Sequence, residues 1–290
     1  MTAKAAVVGW PIQHSLSPVL HGHWLKEYGI DGSYEKIAIE PGTFPQRIAE
    51  LRAAGYRGVN VTVPYKEEAF ALAQKKHQAV VVTGAANLLF DTPEGELGAN
   101  NTDATGLFDS LETELGRNSL AGKNIVLLGA GGAARGAAFG LQHFGQAAKI
   151  TILNRNKDRA DALVAHLSQY LPAEKFLTGA LEDWPRAASD AWLIVNTTSA
   201  GMKGNSSLEI DLGALPEKAA VCDIVYNPLL TPLLKDAAAR GHQIIDGLGM
   251  LMHQAAPSFQ VFFYKEMGGK VPDVTPALRA ALIEALQARG

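Results

Sequence analysis

The chain has one cysteine in 290 residues, few aromatics (7%) and no excess of charge of either sign, with 26 Lys plus Arg against 29 Asp plus Glu. The single cysteine, Cys222, excludes an intramolecular disulfide. Its apolar surroundings at 219–225 suit a buried strand thiol better than a nucleophile. A net charge of −3 carries no polyanion-binding character, so nucleic acid is not an expected partner. No apolar run approaches the ~20 residues of a membrane helix, and the run at residues 1–9 is too short for a secretory signal. A cytoplasmic protein without a membrane partner is therefore expected. Internal repeats, low-complexity segments and long charge runs are also missing. What is present is enough chain for two medium-sized domains, each with a core of its own.

Residues 5–90 alternate short apolar runs with helical patterns, the rhythm of βαβ units and a mainly parallel sheet, so the fold class is α/β. Strands are expected at 5–8, 33–39, 58–63 and 87–90. Ser17 as N-cap, Pro18 at the first helical position and Gly29 past the end bracket one helix. Thr43 is placed to cap another that ends at Gly55. A helix from about Leu107 leads into further strands at 125–128, 150–153, 193–196, 220–225 and 243–245, a second doubly wound sheet. Helices follow at 251–267 and after Thr275-Pro276.

The most informative stretch runs from Ile125 to Gly136, where an apolar strand meets Gly129-Ala130-Gly131-Gly132-Ala133-Ala134 and then a small-residue helix. That order suits a dinucleotide. The glycines give a tight turn and close approach to a pyrophosphate, and small residues let helix pack on strand. The phosphates then lie at a helix N-terminus. Alone, the pattern fits an ordinary glycine-rich turn as well. The next strand, however, ends in Asn154-Arg155-Asn156 with no Asp or Glu. An acidic residue there would bind the ribose 2′-hydroxyl of NAD, whereas arginine grips a 2′-phosphate, so Arg155 and Arg159 favour NADP. The same arginines would otherwise solvate an exposed helix start. Because the fingerprint begins only at residue 129, the chain before it is left to bind a substrate.

Short polar residues cluster in that earlier part where strands give way to helices, the ligand-binding ends of open α/β sheets. Ser15 and Ser17 follow the first strand. Asn60 and Thr62 share one face of the third, with Lys66 beyond it, and Asn87 opens the fourth, followed by Asn101-Thr102-Asp103. Singly, each has an ordinary role: Ser17 as a cap, Asn60 as a strand-end residue, Lys66 as a solvated cation, Asp103 as a helix N-cap. Together they describe a pocket rich in hydroxyl and amide groups with one ammonium and one carboxylate, suited to a small polyhydroxylated molecule.

In chain order, Ser15-Leu16-Ser17-Pro18, Asn60-Val61-Thr62-Val63-Pro64-Tyr65-Lys66, Asn101-Thr102-Asp103, the turn at Gly129 and Asn154-Arg155 form the first part of a series. Asn196-Thr197-Thr198-Ser199-Ala200-Gly201-Met202, Asp223-Ile224-Val225-Tyr226-Asn227-Pro228 and Gly249-Met250-Leu251 with Gln254 complete it. Over nearly the whole chain this series resembles the shikimate dehydrogenase family. The resemblance implies an N-terminal substrate-binding domain, 1–106 completed by 243–290, and a Rossmann-type NADP domain at 107–242. It implies reversible, NADPH-dependent reduction of 3-dehydroshikimate to shikimate in aromatic amino-acid biosynthesis.

Carried over residue by residue, Lys66 and Asp103 form the catalytic pair, and Ser15, Ser17, Asn60, Thr62, Asn87, Tyr226 and Gln254 bind substrate. Gly129, Ala130, Gly131, Gly132, Ala133, Asn154, Arg155, Arg159, Thr197, Met202 and Gly249 bind the cofactor, and no metal is expected. Lys66 would take the alcohol proton as hydride leaves, and return it in the reverse direction, with Asp103 orienting it. Met250 suits a core role equally well, and neither His14 nor His253 is needed. Two positions depart from the family pattern: Asn156 stands where Thr is common, and Ala104-Thr105-Gly106 follows Asp103 where many members have Gly directly. Quinate/shikimate dehydrogenases share most of these motifs, so wider use of quinate or NAD is the main alternative. A non-catalytic ligand sensor is another, against which the presence of both Lys66 and Asp103 argues. The expected assembly is a monomer or homodimer.

Overall fold

The computed structural model describes residues 2–289. The chain divides into two compact α/β units, Met1–Thr102 with Leu251–Gly290, and Asp103–Met250.

In the first unit the strands are β1 (Ala3–Gly9), β2 (Gly32–Ala38), β3 (Tyr56–Val61), β4 (Lys75–Lys76), β5 (Leu88–Asp91) and β6 (Leu97–Asn100). They form one sheet in the order β2-β1-β3-β5-β6-β4. β1 is parallel to both β2 and β3, and helices Ser17–Glu27 and Phe44–Ala53 make the crossovers that parallel neighbours require. β5 is antiparallel to β3 and to β6. The β5–β6 hairpin closes where the Thr92 N–H donates to the Glu96 carbonyl at 2.9 Å. β4 and β6 were not expected because Lys75-Lys76 and Leu97-Gly98-Ala99-Asn100 contain no run of large apolar residues. One face of the sheet packs Ile39, Phe44, Ile48, Val59, Val61, Tyr65 and Leu89 into a core. A second cluster joins Trp24, Tyr34, Phe259 and Phe262 around His21, whose ring stacks on Tyr34 at 3.7 Å and 2°.

Helix Ser17–Glu27 stops as expected, with Gly29 at φ +63° just beyond it. Its start differs. Leu16 is the N-cap, no side chain caps the helix, and Ser17 is already helical, its N–H donating to Ser15 Oγ at 3.3 Å. Thr43 is the N-cap of Phe44–Ala53, but its hydroxyl donates to the Glu40 carbonyl at 2.7 Å rather than capping.

In the second unit β7 (Asn124–Leu128), β8 (Lys149–Leu153), β9 (Phe176–Gly179), β10 (Leu193–Asn196), β11 (Ala220–Asp223) and β12 (Gln243–Ile245) form a sheet in the order β12-β11-β10-β7-β8-β9. Every pairing is parallel. This is the doubly wound dinucleotide-binding order, with its switch point between β7 and β10. Apart from Asn124 at the start of β7 and Asn196 at the end of β10, the two central strands are apolar and buried, as expected of a parallel sheet covered on both faces.

Two features set the limits of this unit. β12 pairs with β11, and helix Asp103–Leu115 lies so close to helix Gly132–His143 that a Cβ on Gly140 would sit 2.4 Å from the Ala104 carbonyl oxygen. The unit therefore begins at Asp103 and ends at Met250, where the sequence suggested 107 and 242. The helix expected at 251–267 is Gly247–Phe262, started early by Asp246, whose Oδ1 accepts from the Leu248 N–H at 3.0 Å. Cys222 is a buried strand residue, and burial pushes its thiol pKa up. Among the described residues no helix is long and apolar enough to cross a membrane.

His21 is fully buried, its two ring nitrogens have no hydrogen-bond partner, and burial lowers its pKa to about 3 from 6.5. The folded state thus keeps the ring neutral while the unfolded chain protonates it below pH 6.5. Stability from this residue is complete above that pH and falls by about 1.4 kcal/mol per pH unit on acidification toward the folded pKa. His21→Phe is expected to gain stability relative to wild type as the pH is lowered, in urea unfolding followed from neutral to acid pH. A constant difference between the two proteins would contradict this.

Candidate functional site

In the first unit, five of the seven residues expected to bind substrate lie in one hydrogen-bonded network, so the sequence clusters become a single structure. Asn87 is its centre. Its Nδ2 donates to Thr102 Oγ1 (2.9 Å) and Gln254 Oε1 (3.3 Å), and its Oδ1 accepts from the Thr102 N–H (2.8 Å). Its backbone donates to the Asn100 carbonyl (3.1 Å) and accepts from the Val61 N–H (2.8 Å). Thr102 Oγ1 in turn donates to the Gln254 carbonyl at 2.8 Å, tying helix Gly247–Phe262 to the sheet end. Asn60 is coupled to Asn87 through Nδ2, which donates to the Asn87 carbonyl (3.2 Å) and to Ser258 Oγ (2.8 Å). Asn60 Oδ1 accepts from the Tyr34 hydroxyl at 2.7 Å, and Ser17 hydrogen-bonds the same hydroxyl. Ser15, through the Ser17 N–H, completes the series.

Thr62 and Lys66 stand at the same strand ends. The Thr62 N–H donates to the Val8 carbonyl (3.0 Å) and the Trp10 N–H to the Val63 carbonyl (3.0 Å), which holds the loops after β1 and β3 side by side. Lys66 is half-buried and opens helix Lys66–Leu72, its carbonyl accepting from the Ala86 N–H at 2.8 Å. Asp103, buried, follows Thr102 directly and opens helix Asp103–Leu115 of the second unit. His14 is exposed.

In the second unit the glycine-rich turn sits at the switch point. Gly129 has φ +109°, and a Cβ there would meet Thr197 Oγ1 at 2.8 Å, so both its conformation and its space require glycine. Gly131 is the N-cap of helix Gly132–His143. No side chain caps that helix, and the space beside Gly131 is open. An uncapped helix start facing open space fits a pyrophosphate, so these residues fit a dinucleotide. Thr197 is buried, and its hydroxyl donates to the Leu128 carbonyl at 2.7 Å. Arg155 and Arg159 are exposed after β8. Asn154 Nδ2 donates to the Asn156 carbonyl (2.7 Å), and Asn156 Oδ1 accepts from the Asp158 N–H (3.0 Å), capping helix Lys157–Leu167.

The model of the shikimate dehydrogenase substrate binding domain matches residues 7–89, and that of shikimate / quinate 5-dehydrogenase matches residues 111–203. A shikimate dehydrogenase (NADP+) of Methylobacterium radiotolerans is 45% identical over 284 residues, 97% of each chain. The chain belongs to the shikimate dehydrogenase family. A shikimate dehydrogenase crystallised with NADP+ superposes with a TM-score of 0.88 at 31% identity, covering 98% of this chain and 96% of that one. The Thermus thermophilus enzyme, crystallised with NADP(H) and shikimate, superposes with a TM-score of 0.81 at 33% identity, covering 99% of each chain.

The remaining positions carried over from the family sit in the second unit. The turn holding Met202, which is exposed, meets the loop of Tyr226, half-buried, where the Lys203 N–H donates to the Asn227 carbonyl at 3.0 Å. A Cβ on Gly249 would lie 2.2 Å from Ser110 Oγ, so packing against helix Asp103–Leu115 already demands glycine there. Ala104, a departure from the family pattern, is buried with its carbonyl over Gly140.

Two residues of the network were missed in the sequence, Tyr34 and Ser258, as was His21, which stacks on Tyr34. Ser258 had a usable signal, since it lies four residues after Gln254 on one helix face. Tyr34 and His21 read as ordinary apolar-face residues.

Asp223, quoted in the family series but given no role, anchors the switch-point loops. Its Oδ1 accepts from Asn196 Nδ2 (2.9 Å) and the Val225 N–H (3.0 Å), and its Oδ2 from the Thr231 hydroxyl (2.7 Å). Asn196 Oδ1 then accepts from the Thr198 N–H (3.0 Å) and hydroxyl (2.8 Å). Burial raises the Asp223 carboxyl to about 6, outweighing the three donors that lower it. A raised folded pKa means stability from this group is fullest below its usual 3.8 and is lost as pH rises through about 6. Asp223→Asn keeps an acceptor for Asn196 and Val225 and lets Thr231 rotate to accept, while removing the titration. The unfolding free energy of wild type minus that of Asp223→Asn is expected to fall between about pH 4 and pH 7 in urea titrations. A difference that holds constant or rises would contradict the assignment.

Proposed function

We propose that this chain catalyses the reversible, NADP-dependent reduction of 3-dehydroshikimate to shikimate. The observation that carries the reading is the network joining Ser15, Ser17, Asn60, Asn87 and Gln254. It falls within a unit matched by the family's substrate-binding domain. It presents hydroxyl and amide groups in fixed orientation, which a polyhydroxylated ring requires and which rejects analogues that leave them unpaired. The same reading assigns the enzyme to the cytoplasm, as a monomer or homodimer.

Thr62 and Tyr226 add hydroxyls to the substrate contacts. NADP is held by the turn at Gly129, Ala130, Gly131, Gly132 and Ala133, with Arg155 and Arg159 on the 2′-phosphate and Asn154 beside them. Thr197, Met202 and Gly249 flank the nicotinamide end. When bound, the cofactor supplies or accepts the hydride. The residues of the chain manage the proton: Lys66 takes it from the substrate hydroxyl in oxidation and donates it in reduction, and Asp103 orients the lysine and that hydroxyl.

Initial rates with shikimate or quinate crossed against NADP or NAD test this directly. Fast turnover is expected with shikimate and NADP and slow turnover in the other three combinations. Comparable rates with quinate or NAD would instead make it a quinate/shikimate dehydrogenase of wider specificity, and no turnover in any combination would leave a ligand sensor. In Lys66→Ala, kcat is expected to fall by roughly 10²- to 10⁴-fold with NADP binding retained. A near-normal kcat would remove the lysine from the mechanism.

A further inference from the structure

We infer that Tyr34, held by His21, is a positioning residue that sets the substrate specificity of the first unit by fixing Ser17 and Asn60; the inference rests on the substrate role proposed for those two residues. Tyr34 is buried, and its hydroxyl donates to Asn60 Oδ1 at 2.7 Å while Ser17 hydrogen-bonds the same oxygen. One phenol thereby joins two residues far apart in sequence, one at the start of helix Ser17–Glu27 and one on β3.

The Asn87 carbonyl, which can only accept, turns the NH2 end of the Asn60 amide toward itself, and the Tyr34 hydroxyl then fills the oxygen end. A side-chain amide presents an acceptor at one end and two donors at the other, and a buried amide takes the orientation its neighbours dictate. With the Tyr34 proton on Oδ1, both Asn60 donors go to Ser258 Oγ and the Asn87 carbonyl. Both Asn60 N–H groups are thus used inside the protein. What Asn60 offers a substrate hydroxyl is its second Oδ1 lone pair, an acceptor. Without the Tyr34 hydroxyl, Asn60 Oδ1 would lose its donor and the bond that fixes where its remaining lone pair points.

His21 supplies the second, independent observation. Its ring lies flat on Tyr34, with centroids 3.7 Å apart and planes 2° apart, and Trp24, Phe259 and Phe262 enclose it. It is fully buried, yet neither ring nitrogen has a hydrogen-bond partner. A buried polar group without a partner is costly, so the histidine adds nothing to stability that a phenyl ring would not supply at least as well. Its contribution is the flat contact that holds the Tyr34 ring plane, and hence the direction of the hydroxyl.

The test is steady-state kinetics on Tyr34→Phe, which keeps the ring and the stack and removes only the hydroxyl. The expected result is a KM for shikimate raised about tenfold, the size of one lost hydrogen bond with its partner left unsatisfied, with the KM for NADP unchanged. A purely structural role would lower the melting temperature and leave both KM values alone, and that result overturns the proposal. Should Tyr34→Phe not fold, the pair His21→Ala and His21→Phe decides. Loss of the ring is expected to raise the shikimate KM and the phenyl ring to restore it, whereas equal shikimate KM values in both variants overturn the proposal. Turnover of shikimate by the wild type tests the underlying reading separately. A wild type that turns over shikimate, beside a Tyr34→Phe that keeps its KM, removes only the positioning role.

Discussion

The constraint on which the first unit depends is that a buried amide must find partners for both of its ends. Asn60, next to the end of β3, and Asn87, just before β5, are buried with their backbones bonded or paired in the sheet, so their side-chain amides need partners of their own. Their side chains therefore bond each other's surroundings: Asn87 holds Thr102 and Gln254, and Asn60 holds Ser258 and Tyr34. Leaving one such donor or acceptor unpaired costs about 1–3 kcal/mol, so these contacts form together and select one geometry. Helix Gly247–Phe262 enters this scheme through Gln254 and Ser258, which is why residues after 250 belong with a sheet completed by residue 100.

The second unit solves a similar problem with one carboxylate. The strand ends of β10 and β11 meet at Asp223, whose three donors come from the end of β10 and from two points of the loop after β11. Gly129 and Thr197 then face each other across the switch point at a separation that only glycine permits. Both units fix the ends of their strands with buried polar groups, and the helix at Gly131 is left uncapped beside them. Pre-set strand ends leave little for a ligand to reorganise, which keeps the entropic cost of binding low.

Much of this was legible in the chain because its signals are local. The glycine-rich turn, Pro18 with Gly29, and the apolar runs of the parallel strands each report on their own neighbourhood, and the structure has a turn, a helix and strands there. Ser17 misled because its side chain has a distant partner, Tyr34, which outweighs a local capping role. β4 and β6 escaped notice because pairing, not periodicity, makes them strands. The start of helix Gly247–Phe262 was missed because it depends on Asp246, ahead of the apolar pattern. In the site, the polar residues were visible but their wiring was not. Tyr34 and His21 look like core residues, and Tyr34 joins the network, with His21 stacked on it, only when β2, β3 and helix Ser17–Glu27 are brought together.

On the proposed function, the hydrogen-bonded network, and not the cofactor, shapes the substrate site. Calorimetric titration of shikimate into wild type and Thr102→Val, without NADP, separates the two contributions, because the Thr102 hydroxyl bonds both Asn87 and Gln254. Wild type is expected to bind shikimate with no cofactor present. In Thr102→Val the shikimate Kd should rise by about tenfold or more, with NADP affinity unchanged. Equal shikimate affinity in the two proteins, or no shikimate binding by wild type until NADP is added, would contradict it.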